Sequence, residues 1–162
     1  MEQKTMTEGK VNKEKNTEQR LLALVRITGM IGVKKHQAQT LDRLKLRRKY
    51  SCVVVNGNDV SIKGMLDKIK FFVAYGPIDD KTLELLIDKR GESVLGRKQE
   101  KNISGKDAAK KLGEGSSLSD LGLKGFFRLH PPRKGIHSKL QYPKGVLGNN
   151  KEAINELIGR ML

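Results

Sequence analysis

Residues 21–76 switch between two apolar rhythms, and the order of the switches leaves few folds open. LLALVRIT (21–28) is a strand rich in apolar residues, and Thr28-Gly29-Met30-Ile31-Gly32 turns the chain. Residues 34–45 take a helical period. Ala38, Leu41 and Leu44 share one face, while His36, Gln39 and Arg43 point the opposite way. SCVVV (51–55) is a second strand, ended by Asn56-Gly57. Asp59 suits the N-cap of a second helix, whose Ile62, Met65, Leu66 and Ile69 follow the i, i+3, i+4, i+7 pattern. FFVAY (71–75) is a third strand, closed by Gly76-Pro77. The result is an α+β unit, β-α-β-α-β. Each helix has one apolar stripe and must cover one face of a small sheet.

The rest of the chain is less regular. Asp79 caps a third helix, with Ile78 and Leu83 placed as a hydrophobic staple. Lys89 and Arg90 suit its C-terminal end, and Gly91 suits a left-handed stop. Residues 91–115 are polar, basic and rich in glycine, with a short helical segment over 106–112. FFRL (126–129) reads as a fourth strand. Residues 131–150 hold three Pro and three Gly, and read as an extended arm with no core of its own. Ile154, Leu157, Ile158 and Met161 mark a last amphipathic helix. The expected organisation is a charged, disordered tail over 1–19, a core domain over 20–77, and an extension over 78–162. That extension comprises the third helix, a basic loop, the basic Pro-rich arm and the C-terminal helix.

All of the excess charge lies in two stretches. Residues 34–49 hold seven Lys/Arg against one acid, and residues 89–144 hold fourteen against five. The remainder balances at twelve and twelve, so these stretches supply the whole net charge of +15. Charge concentrated this way on a neutral scaffold is the footprint of a polyanion binder, and nucleic acid is the expected partner. No segment has the ~18 apolar residues of a membrane span, and no apolar signal region opens the chain. The single Cys52 has no intramolecular disulfide partner. A cytoplasmic protein is the expectation. Three His and one Cys do not make a typical zinc site, so neither metal nor cofactor is expected.

Catalytic chemistry finds little support. The string from Gly91 to Lys98 has P-loop glycine spacing, but Arg97 and Lys98 stand where the phosphate Lys and the magnesium-binding Ser/Thr belong. It also follows a helix, and reads as a basic helix-exit loop. Gly29-Met30-Ile31-Gly32 is a G-x-x-G loop, as in KH modules, although there it joins two helices and here a strand precedes it. It opens a helix whose free N–H groups can receive a phosphate, with Lys34, Lys35 and His36 beside it. Arg47, Arg48 and Lys49 form a basic knob after the first helix, extended by Arg43 and Lys45. Gly64 lies in the second helix opposite its apolar stripe, next to Lys63. Glycine there costs about 1 kcal/mol relative to Ala, which suits a surface that something approaches closely. Pro131 and Pro132 stiffen an arm from which Arg128, His130, Arg133 and Lys134 project, and Lys139 and Lys144 continue its charge. All of these are RNA-contacting candidates; none is catalytic.

The order of these motifs resembles the archaeal branch of the large-subunit ribosomal protein L-thirty family, called L-seven in eukaryotes. The shared core is carried by Thr28, Ile31-Gly32, Thr40-Leu41, Leu44-Lys45-Leu46-Arg47 and Lys63-Gly64-Met65. The archaeal extension is matched by Ser117-Leu-Ser-Asp-Leu-Gly-Leu123, Phe127-Arg-Leu-His-Pro-Pro-Arg133, Glu152-Ala-Ile-Asn-Glu-Leu157 and Arg160-Met161-Leu162. One departure is Lys45, where the family usually has Gly. The resemblance implies a ferredoxin-like fold with a three-stranded antiparallel sheet and two helices on one face. It implies a non-enzymatic constituent of the large ribosomal subunit. Its partners would be ribosomal RNA and neighbouring ribosomal proteins, with neither membrane nor small-molecule substrate. A free-standing RNA-binding regulator has the same surface chemistry. An RNA-processing enzyme needs paired acids, and Asp42 and Asp107 have no evident partner.

Overall fold

A computed structural model of the chain describes residues 21–94 and 104–162. The tail expected over 1–19 and the Gly96-Arg97-Lys98 end of the P-loop-like string lie outside these residues. The elements run β1 (Leu21–Arg26), α1 (Lys35–Arg43), β2 (Ser51–Asn56), α2 (Val60–Ile69), β3 (Val73–Pro77), α3 (Asp80–Arg90), α4 (Gly105–Gly113), β4 (Phe127–Arg128), β5 (Gly148–Asn149) and α5 (Ala153–Met161).

β1 is apolar at almost every position, so it needs cover on both faces. It takes the centre of the sheet, antiparallel to β2 on one side and β3 on the other. Leu24 packs with Val53 and Val73 against α1 and α2, where Leu41, Leu66 and Ile69 are buried. Ala23, Val25 and Ile27 face the other way with Cys52 and Ala74. They meet Leu83 and Ile87 of α3, Ala108 and Leu112 of α4, and Ile154 and Ile158 of α5. Each large aliphatic side chain so buried contributes about 1.5–3 kcal/mol before conformational entropy is counted. Burial in this layer pushes the Cys52 thiol up to about 12, leaving it neutral and a poor nucleophile.

The expected three-stranded sheet with helices on one face is thus corrected. The sheet has five strands in the order β4-β2-β1-β3-β5, with β5 parallel to β3. α1 and α2 cover one face as expected, while the extension returns to cover the other and adds a two-residue strand at each edge. β4 falls within the expected 126–129 segment, and α4 and α5 fall on the expected short and C-terminal helical segments.

Four local differences have physical causes. β3 begins two residues late, because the Phe72 N–H still bonds the Ile69 carbonyl at 2.8 Å and α2 unwinds through residues 70–72. α1 stops at Arg43 in a paired C-terminal cap. The Lys45 N–H donates to the Asp42 carbonyl at 3.0 Å and the Leu46 N–H to the Leu41 carbonyl at 2.8 Å. That cap holds Lys45 at φ 59°, the left-handed region, which accounts for the glycine the resemblance expects there. Gly91 ends α3 in an extended conformation, φ −62°, and not in a left-handed stop. The arm over 131–150 is not without a core. Pro132 and Leu147 are buried, and Ile136 and Val146 pack against the layer of α3–α5. These contacts are single residues without a period, so no apolar rhythm marks them.

Candidate nucleic-acid interface

Three chain segments leave the sheet side by side at one end. In the last row the Tyr50 N–H donates to the Arg26 carbonyl at 2.7 Å, and the Leu129 N–H donates to the Tyr50 carbonyl at 3.0 Å. Beyond this row lie the β1–α1 loop, the basic residues 47–49 and His130. The entry to β3 joins them, since the N–H groups of Ile27 and Thr28 both donate to the Phe72 carbonyl, at 3.1 and 3.3 Å.

Arg26 ties this end together. Only 4% of the residue is exposed. Its guanidinium donates to the carbonyls of Thr28 (3.1 Å) and Gly29 (2.8 Å) in one loop, and of Leu46 (2.7 Å) and Arg47 (2.9 Å) in the other. Four carbonyl dipoles take the place of water around a buried cation, an arrangement suited to the planar fork of arginine. Burial pushes its pKa below the usual arginine value, and Asp42 offsets part of that effect. Sequence reasoning missed Arg26. The available signal was a cation at the inner end of an apolar strand.

All the predicted RNA-contacting residues are exposed. Arg26 brings Gly29 next to Arg47. Gly32, Lys34, Lys35 and His36 continue the Gly29 loop into the start of α1, and Arg48 and Lys49 continue the other loop toward β2. Gly32 is left-handed, φ 79°, and turns the loop toward α1. Lys34 is the N-cap of α1 and makes no side-chain cap bond. Arg47 pairs with Asp42 at 3.6 Å, exposed on both sides and therefore weakly. The Lys49 ammonium sits 4.6 Å from the Tyr50 ring centre, and the Arg128 guanidinium 5.5 Å from that of Phe126. Arg128 pairs with Ser51, one step from the last row, so Arg128 and His130 join the cluster.

Other predicted residues lie elsewhere. Arg133 lies against the C-terminal end of α5, where the His130 and Arg133 N–H groups bond the carbonyls of Met161 and Arg160, both at 3.0 Å. Lys134 follows it in a left-handed turn. Lys139 lies farther along the arm, and Lys144 lines a groove of about 260 Å³ between the arm and α5. Arg43 borders a groove with Val53 to Asn56, the part of the β2 edge that β4 leaves unpaired. Lys63 lines a third groove with Leu22, Tyr75, Pro77 and Asn149, near the opposite end of the sheet. Gly64 has open space around it. Among the described residues no group of His, Cys, Asp and Glu could hold a metal ion, and no helix is long and apolar enough to cross a membrane.

Residues 22–73 match the family described as ribosomal protein L30p/L7e. A protein of Archaeoglobus fulgidus named large ribosomal subunit protein uL30 is 42% identical over 152 residues, spanning 87% of this chain and 99% of that one. Proteins with the same name from Methanosphaera stadtmanae and Nanoarchaeum equitans are 38% and 37% identical. Each alignment spans 88% of this chain, and 100% and 99% of the relative. The similarity therefore runs through core and extension alike, and the chain belongs to the ribosomal protein L30p/L7e family.

Proposed function

We propose that the protein is a structural, non-catalytic constituent of the large ribosomal subunit, held in the cytoplasmic ribosome by ribosomal RNA and by neighbouring subunit proteins. One observation supports the mechanism above the others. A single buried guanidinium, Arg26, fastens the Gly29 loop and the Arg47 loop into one basic surface. Phosphates are bound by Lys34, Lys35, Arg47, Arg48, Lys49 and Arg128 on a sheet end that is already ordered. Little freedom is then lost on binding. Arg133, Lys134, Lys139 and Lys144 extend the contact along the arm, and Arg43, Lys63 and Gly64 offer separate faces to other RNA segments. Such a protein neutralises phosphate repulsion where RNA helices converge and pins them.

The test is salt-dependent binding to a transcript of archaeal large-subunit ribosomal RNA. Six phosphate contacts predict a log–log slope of about −4 to −5. Changing Arg47 and Arg48 together to Ala should flatten that slope by about two while the melting temperature hardly moves. An affinity indifferent to salt would refute the mechanism. Co-sedimentation with large subunits in a sucrose gradient separates a ribosomal constituent from a free regulator.

A further inference from the structure

The basic end of the sheet also carries three exposed large apolar side chains. Met30 is 68% exposed and Ile31 fully exposed at the tip of the β1–α1 loop. Phe71 is 55% exposed in the turn between α2 and β3. That turn is joined to the base of the same loop, because the Phe72 carbonyl accepts from Ile27 and Thr28. Single exposed apolar residues are ordinary. Three at one end, among cations, are not explained by packing within the chain. The sequence reading placed Phe71 in a strand, and the continued turn of α2 is what puts it at the surface. The Lys70 ammonium lies 5.8 Å from its ring centre.

A surface built only to track phosphates has no use for these groups, since phosphates are bound by charge and hydrogen bonds. Bases that leave a helix do have use for them. They stack on aromatic rings and rest on apolar side chains, while cations hold the flanking phosphates. We propose that Met30, Ile31 and Phe71 form a platform for unstacked bases of ribosomal RNA, with Phe71 stacking one base and the Met30-Ile31 tip supporting its neighbours. Lys34 and Lys35 follow the Met30-Ile31 tip where its loop enters α1, and Arg26 joins that loop to the one carrying Arg47 and Arg48. Lys70, paired with Asp67 at 3.9 Å, stands beside Phe71. This excess of positive charge favours a polyanion over an apolar protein partner. Arg26 bonds the Gly29 carbonyl and so holds the tip in place. The inference rests on the RNA-binding reading and specifies which part of the RNA is met.

The charge and the platform separate by their salt dependence. Stacking releases no counterions, so its loss lowers affinity equally at every salt concentration. The protein is titrated with the archaeal large-subunit ribosomal RNA transcript across a range of KCl concentrations. Variants are Phe71→Ala, the pair Met30→Ser and Ile31→Ser, and Phe71→Tyr. The first two should bind about tenfold more weakly throughout, 1.4 kcal/mol, with the slope unchanged. Phe71→Tyr, which keeps the ring, should stay near the wild type. All these positions are exposed, so melting temperatures should not move. Wild-type affinity in the first two variants would overturn the platform while leaving the phosphate mechanism standing. A weaker affinity with a flatter slope would mean that charge had been disturbed, and would overturn it as well. A wild-type protein that does not bind the transcript would remove the RNA reading itself, and the platform with it.

Discussion

Replacing Arg26 by Met is the most searching perturbation of this surface. The variant keeps most of the volume and the unbranched stem but loses all five donors. Four carbonyls then need new partners. The bond to Leu46 is buried, and its acceptor left unsatisfied costs about 1–3 kcal/mol. The carbonyls of Thr28, Gly29 and Arg47 are only partly buried and recover some hydration. The relief of burying a cation offsets part of the loss. The net expectation is about 3 kcal/mol of destabilisation. In a chain of this size that lowers the melting temperature by roughly 6–12 °C. Arg26→Lys keeps the charge but offers three donors from one point, so it should fall between Arg and Met.

The local consequence matters more than the global one. With the clamp gone, the loops around Gly29 and Arg47 should open independently, and their amides should exchange faster than those at the centre of β1. RNA affinity should drop although every phosphate-facing residue remains, with the salt slope nearly preserved. The assays are thermal denaturation, amide exchange resolved to the two loops, and the salt series. A variant that melts with the wild type would refute the clamp. So would one that is destabilised but exchanges no faster in either loop.

Two further outcomes follow from backbone geometry. Lys45→Gly should raise stability by about 0.5–1 kcal/mol, seen as a melting temperature a few degrees higher, because a side chain in the left-handed region costs about 1–2 kcal/mol and glycine's unfolded-state entropy returns part of that. A lower melting temperature would mean that the Lys45 side chain, which reaches Gly125, contributes more than its backbone costs. Gly64→Ala should stabilise α2 by about 1 kcal/mol, since nothing stands where the new methyl group would go. Loss of stability there would contradict the open surroundings, and the same variant assayed for RNA binding decides whether this face of α2 meets RNA.

What could be read from the sequence follows from how each feature is encoded. The β-α-β-α-β core was legible because burial on a helix or a strand leaves a period in the apolar residues. The second helical layer was legible in principle. LLALVRIT is apolar at both alternating sets of positions, and a strand that needs cover on both sides requires helices on both sides. Of the two edge strands, β4 lies in the apolar FFRL segment read as a strand, while β5 was not so marked. It is held by ladder hydrogen bonds at the sheet edge, and two residues, Gly148 and Asn149, are too short to show an alternation.

The candidate site divides along the same line. Its cations could be named from the sequence, because charge is a property of the residue. Their arrangement could not, because it depends on Arg26, and all four of that side chain's acceptors are backbone carbonyls. Every residue has a carbonyl, so no partner residue betrays the contact as a carboxylate would. The same holds for Phe71, whose exposure depends on the Phe72 N–H bonding the Ile69 carbonyl and carrying the turn past the end of α2. A surface assembled through the main chain thus gives the sequence reader its charges without their neighbours. The proposed function, phosphate contacts set around an apolar platform, depends on which residues are neighbours.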